Sequence, residues 1–151
     1  MSKALGYISI ARKAGSLAVG EVNSGAAVRS GKGRVLLLAS DASPNALHKA
    51  EAFIGGTQTP LVVSPFTKAE LAAAIGSGGC SMAAFTDTGL AAAFMAALAE
   101  KEPSFSDTAQ LLQARNKKAM LRKKEAAVHR RKSGAGASAR KAAQGKRRKK
   151  Q

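Results

Sequence analysis

The sequence predicts an α/β chain: a three-layer α/β/α sandwich with a mixed four-stranded sheet over residues 1–100, followed by a basic C-terminal extension over 101–151. Three observations predict it. Helical and strand-like patterns alternate through the first hundred residues, which places helices on both faces of a sheet. Val35-Leu36-Leu37-Leu38-Ala39 is a short, unbroken apolar run, as expected of a strand covered on both faces. The charge is divided unevenly. Residues 1–100 carry 8 Lys+Arg against 6 Asp+Glu, a net of +2, whereas residues 101–151 carry 17 against 3, a net of +14. A nearly neutral domain therefore precedes a strongly basic segment, and that asymmetry points to a polyanionic partner, most simply nucleic acid.

The elements follow in order. Lys3–Ala14 has apolar residues at Ala4, Leu5, Ile8, Ala11 and Ala14, close to helical spacing, with Ser2 placed to cap its start and Gly15 to end it. Leu17-Ala18-Val19 is a short edge strand. Glu21–Ser30 is a second helix with Val22, Ala26 and either Ala27 or Val28 facing inward, closed by Gly31-Lys32-Gly33. The apolar run from Val35 is the central strand. Ser43-Pro44 then supplies an N-cap and a first-turn proline for a helix over Pro44–Ile54, with Leu47, Ala50 and Ile54 inward. Gly55-Gly56 breaks it, and Pro60–Val63 is a third strand. Thr67-Lys68-Ala69-Glu70 is a capping box that opens a short helix over Lys68–Ile75. Gly76–Ser81 is a glycine-rich loop, Met82–Thr86 a fourth strand, and Asp87-Thr88-Gly89 starts an alanine-rich helix that runs to about Ala99.

About a hundred residues suffice to bury such a core. Glu102–Asp107 (EPSFSD) reads as a linker. Residues 108–131 read as a helix with a weak stripe of Leu111, Ala114, Leu121 and Val128. Residues 132–151 lack apolar side chains larger than alanine and are expected to be disordered when alone.

Composition excludes several classes. Cys80 is the only cysteine, which rules out an intramolecular disulfide. With only His48 and His129 beside it, no metal cluster is expected. No cofactor is expected. The N-terminus lacks the unbroken apolar core of a signal peptide, and no stretch approaches the roughly 20 apolar residues of a membrane span. A cytoplasmic protein without a membrane partner is therefore expected. Catalysis has little support. Gly25–Gly33 has five residues between its first two glycines and a glycine after Lys32, so it is not a phosphate loop. No Ser-His-Asp, Cys-His or paired-carboxylate set is evident.

The segment Arg34–Pro44 reads as strand, polar loop and helix N-terminus. Such a junction either faces an anionic ligand with free N–H groups or is an ordinary connection. With LGYISIARKAGSLAVGE at the start, VRSGKGRVLLLASDASPN in the middle and FTDTGLAAAF near the end, residues 3–99 resemble the L-seven-Ae/L-thirty-e ribosomal protein superfamily, in particular its small bacterial members. The resemblance implies an α/β/α sandwich that binds structured RNA, above all kink-turns with tandem sheared G·A pairs. The family signature is a glycine, an asparagine two positions on, then glutamate, then lysine three further on. Gly20 matches the glycine, whereas Val22, Asn23 and Ala26 stand at the other three positions, so the polar groups that read G·A pairs are largely missing. Glu21 lies among them. Asp41 and Pro44 match the family's second RNA-facing loop, with Ser43 between them, and Gly76–Ser81 corresponds to the third, where Gly79 and Cys80 stand.

On this reading the loops Ala18–Asn23, Ser40–Pro44 and Gly76–Ser81 gather at one end of the sheet, flanked by Lys13, Arg29, Lys32 and Arg34 as phosphate contacts that position RNA without specifying sequence. In the extension, Arg122-Lys123-Lys124 and Arg130-Arg131-Lys132 are the expected phosphate contacts, and Arg147–Lys150 is a further basic cluster. The expected function is that of a noncatalytic RNA-binding protein, a monomer, associated with the ribosome and partnered by ribosomal or other structured RNA. The alternative is a nonspecific nucleic-acid or DNA-binding protein that acts mainly through its basic tail. No recognition helix for a major groove supports the DNA reading.

Overall fold

Strand β2 (Val35–Leu38) is buried at every position, and this follows from its place in the sheet. The computed structural model describes the backbone of residues 2–76 and 81–149 and the side chains of 2–76 and 81–130. Within these residues β1 (Leu17–Val19), β2, β3 (Leu61–Val63) and β4 (Met82–Phe85) form one mixed sheet in the order β1-β4-β2-β3. Strand β4 pairs antiparallel with β1 and with β2, and β2 pairs parallel with β3. The central strands β2 and β4 are thus the two that are buried throughout, and β1 and β3 are edges.

Helices cover both faces. Alternate residues of β2 divide between two apolar clusters, as a pleated strand requires. Val35, Leu37 and Ala39 pack with α1 (Lys3–Lys13), α4 (Lys68–Ile75) and α5 (Thr88–Lys101). Leu36 and Leu38 pack with α2 (Glu21–Arg29) and α3 (Pro44–Ile54). The expected three-layer α/β/α sandwich is what forms. On the first face Phe85 and Phe94 are fully buried, with ring centroids 5.0 Å apart. Buried hydroxyls pin β3 to β2 at both ends: Thr59 donates to the Gly33 carbonyl and Ser64 to the Leu38 carbonyl, each at 3.0 Å.

The caps are those that local sequence dictates. Ser2, Ser43, Thr67 and Asp87 accept from Leu5, Ala46, Glu70 and Leu90 N–H groups, and the Thr67–Glu70 capping box is complete. Helix α2 departs from expectation. Val28 is buried as expected, but Val22 is 84% exposed and Ala26 is also exposed, and Ser24 and Gly25 are buried in their place. The helix buries its small residues because α3 lies close. A Cβ on Gly25 would stand 2.7 Å from the Phe53 ring, so a larger side chain has no room there.

Residues 102–107 are not a linker. Pro103–Phe105 forms a 3-10 turn and α6 (Ser106–Lys149) starts directly after it. Phe105 packs against the first cluster, and Ala109 and Leu112 are buried in it, while Leu111 and Ala114, expected on the apolar stripe, are exposed. The first compact unit thus runs to Asn116 and a second comprises Lys117–Gln151. In the second unit α6 continues to Lys149, through the stretch expected to be disordered alone. Alanine, lysine, arginine and glutamine, all strong helix formers, outnumber the three glycines and two serines of this stretch, and no proline interrupts it. No described helix is long and apolar enough to cross a membrane.

Candidate nucleic-acid interface

Strand direction decides which loops meet. Because β1 and β2 are both antiparallel to β4 and β3 is parallel to β2, the C-terminal ends of β1, β2 and β3 share one end of the sheet with the N-terminal end of β4. The β1–α2 loop, the β2–α3 loop and the segment entering β4 therefore converge there. The backbone ties them together: Gly20 N–H donates to the Met82 carbonyl at 3.0 Å, and Ala39 N–H to the Ser81 carbonyl at 2.9 Å. Ser40 N–H donates to the Phe66 carbonyl at 2.8 Å, which joins the segment after β3 to the same end.

Most of the polar side chains at this end are engaged within the fold. Gly20 has φ +87° and ψ 168°, a conformation open to glycine, and precedes α2 without a side-chain cap. Ser2, Ser43 and Thr67 cap α1, α3 and α4 at the same end, so only α2 among these four leaves its first-turn N–H groups without a capping side chain. Glu21 pairs with Lys49 of α3 at 2.7 Å. Asn23 donates its side-chain amide to the Val19 carbonyl at 3.0 Å. Asp41 accepts from Lys68 N–H at 2.8 Å, and Ser43 accepts from Ala46 N–H. Pro44 is exposed in the first turn of α3. Val22 and Ala26 project outward from α2, so the two positions where the family signature has asparagine and lysine face solvent as apolar groups. Gly79 and Cys80 lie outside the described residues.

The expected flanking cations are elsewhere. Lys13 ends α1 and Arg29 ends α2, and Lys32 and Arg34 lead into β2. All four precede a strand of the parallel set, so they lie at the opposite end of the sheet from the converging loops. Arg34 N–H donates to the Phe85 carbonyl, at the C-terminal end of β4. Arg29 stacks its guanidinium 4.8 Å above the Phe53 ring. The loop end is instead mixed in sign, with Glu21, Asp41, Glu70, Glu100 and Glu102 beside Lys3, Lys49, Lys68 and Lys101.

In the second unit Arg122, Lys123, Lys124 and Arg130 are exposed on α6, as are Met120, Leu121 and Val128. The side chains of Arg131 and Lys132, and the cluster Arg147–Lys150, lie outside the described ones. Groups of three or more His, Cys, Asp or Glu able to hold a metal do not occur among the described residues. Two engagements were not legible in the sequence, Lys49 with Glu21 and Lys68 N–H with Asp41. Both join residues 27 or 28 positions apart, which no local pattern reports.

No protein-family model matches the sequence, and no curated protein is matched by it. Among solved structures, a protein of unknown function from Bacillus halodurans is similar over 65% of this chain and 98% of its own, at 26% identity and a TM-score of 0.60. The Giardia lamblia 15.5 kD RNA-binding protein is similar over 67% of this chain and 85% of its own, at 16% identity and a TM-score of 0.55. The second likeness is one of fold.

Proposed function

We propose that this chain is a noncatalytic RNA-binding protein of the L-seven-Ae type. Its partner on this reading is structured RNA, kink-turn-like or ribosomal, and its place of action is the ribosome. The observation that carries the reading is the convergence of the Gly20 and Asp41–Pro44 loops, held together through Met82 and Ser81, at the sheet end where the family's RNA-facing loops would lie. The fold likeness to a protein named for RNA binding supports it. The uncapped start of α2 offers backbone N–H groups to a phosphate or a base edge.

A second reading rests on charge. The net of +14 over residues 101–151 supports nonspecific binding to any nucleic acid through this basic extension.

Binding of the full chain and of residues 1–116 to a kink-turn RNA, a plain RNA duplex and a DNA duplex, each at two salt concentrations, separates the two. Retained preference of 1–116 for the kink-turn at the higher salt supports the first. Loss of all binding with residues 117–151, with no discrimination among the three ligands, overturns it in favour of the second.

A further inference from the structure

Six of the ten cations of the first unit stand at the sheet end away from the converging loops. Arg12 and Lys13 close α1, Arg29 closes α2, Lys32 and Arg34 lead into β2, and Arg115 reaches the same end. The backbone fixes their relation. Thr86 N–H donates to the Ser16 carbonyl at 2.9 Å and Arg34 N–H to the Phe85 carbonyl at 2.7 Å, so the approaches to β1 and β2 flank the end of β4. With strands roughly 4.8 Å apart, Ser16 and Arg34 stand about 10 Å from each other across it.

The supports are held by backbone hydrogen bonds and close packing. Gly15 and Gly31, at φ +72° and +80°, close α1 and α2 with matching turns: Ser16 N–H returns to the Ala11 carbonyl at 2.8 Å and Lys32 N–H to the Ala27 carbonyl at 3.0 Å. Gly33 packs so tightly that a Cβ would stand 2.9 Å from a Val28 methyl. Lys32 and Arg34 are therefore carried by backbone whose N–H groups are bonded to the Ala27 and Phe85 carbonyls. Arg115 donates to the Gln58 carbonyl at 2.8 Å and is placed in the same way.

Helix C-termini favour cations, and Arg12, Lys13 and Arg29 serve α1 and α2 in that capacity. That role does not account for Lys32 and Arg34, which lie beyond the helix. Among the described residues Lys13, Lys32 and Arg34 are all exposed and none has a carboxylate within ion-pair distance. The carboxylates of this end are Glu51 on α3 and Asp87, whose oxygen is held by Leu90 N–H. At the loop end, by contrast, Lys3 and Lys49 are paired to Glu100 and Glu21, and although Lys68 and Lys101 make no ion pair among the described residues, five carboxylates stand beside the four lysines there.

We infer that Lys13, Lys32 and Arg34 form a phosphate-binding surface for RNA backbone at the end of the sheet opposite the converging loops. The inference rests on the reading that the chain binds RNA, and adds a second contact region to it. An RNA that engages both ends spans the first unit, and its electrostatic anchoring comes from the end without the family-like loops.

The test measures the salt dependence of binding by the full chain to a kink-turn RNA, a plain RNA duplex and a DNA duplex. Lys13→Gln, Lys32→Gln and Arg34→Gln are combined in one variant. Lys3→Gln, Lys68→Gln and Lys101→Gln, which remove the same charge at the loop end, are combined in another. Unfolding curves check that both variants remain folded, since all six side chains are exposed. The first variant is expected to lower the slope of log affinity against log salt by about 2 for RNA, at about 0.7–0.9 per phosphate contact, and to weaken binding about ten-fold at low salt. The second is expected to change the slope by less than one contact's worth.

Equal slopes for the first variant and the unmodified chain overturn the inference and leave the RNA-binding reading intact, as does an equal loss from both variants. A loss larger for the DNA duplex than for either RNA overturns the assignment to RNA. A full chain that binds neither RNA overturns both.

Discussion

The Asp41 carboxylate accepts a 2.8 Å hydrogen bond from the Lys68 backbone N–H, and so closes the first turn of α4 from a loop 27 residues away. Thr67 takes the Glu70 N–H in the same turn. Two of the first-turn donors that a helix cannot satisfy by itself are met, one locally and one by the β2–α3 loop. Asp41 therefore holds two of the loop-end segments together. Asp41→Ala is expected to lower stability by about 1 kcal/mol, the usual loss for a capping acceptor, and Asp41→Asn by clearly less. Chemical denaturation checks both. Equal stability of the alanine variant and the unmodified chain would show that the bond is not made in solution.

Gly20 is held by its conformation, since a Cβ there would meet nothing within 4 Å. At φ +87° and ψ 168° the backbone lies in a region essentially reserved for glycine. Gly20→Ala is expected to cost about 1–3 kcal/mol. The strain would be relieved by moving the β1–α2 loop, which breaks the 3.0 Å bond from Gly20 N–H to the Met82 carbonyl. Hydrogen exchange of this one backbone amide, compared between the unmodified chain and the variant and read beside the unfolding midpoint, distinguishes strain borne in place from strain released. An unchanged midpoint with unchanged protection sinks the prediction.

Leu112 is fully buried, although it follows a segment whose composition reads as a linker. Leu112→Ala in the full chain is expected to cost about 2–5 kcal/mol, the range for truncating a buried leucine. Leu111→Ala, one position away and 42% exposed, is expected to cost less than about 1 kcal/mol. The pair makes the comparison internal: comparable losses at the two positions would place the buried face of α6 elsewhere.

Local features of this chain were legible and long-range ones were not. The unbroken Val35–Ala39 run, the Ser43-Pro44 start and the Thr67–Glu70 box each carry their physics within four or five residues, and each forms as read. On α2 Val28 is buried as its periodicity indicates, but Val22, an equally large apolar side chain, is not: the helix turns Ser24 and Gly25 inward to admit Phe53, a residue 28 positions from Gly25. The EPSFSD stretch hid a packed turn because one aromatic, Phe105, anchors it among polar neighbours. Lys13, Arg29, Lys32 and Arg34, expected beside the converging loops, lie at the opposite end of the sheet. Residues that lead into a strand lie opposite the loops that leave it, so strand direction, not proximity in sequence to Gly20 or Asp41, decides their position.

The exposed face of α2 allows a gain-of-function test of the RNA reading. Val22 and Ala26 are exposed, and Asn23 makes one hydrogen bond, to the Val19 carbonyl. Val22→Asn, Asn23→Glu and Ala26→Lys together place the family signature two, three and six positions after Gly20. The fold should accept all three. The first and third alter no buried atom, and the second trades one exposed hydrogen bond for a carboxylate in the first turn of α2, where the helix dipole favours it. The expected stability change is within about 1 kcal/mol. If the loop end faces RNA as it does in the family, these groups meet the G·A pairs, and preference for a kink-turn over a plain duplex should rise ten-fold or more, about 1.4 kcal/mol. Competition binding at a salt concentration high enough to suppress the basic segment reads the preference directly. A folded triple variant with no added preference would mean that this end of the sheet does not present α2 to RNA in the family's manner, and the kink-turn assignment would have to be given up.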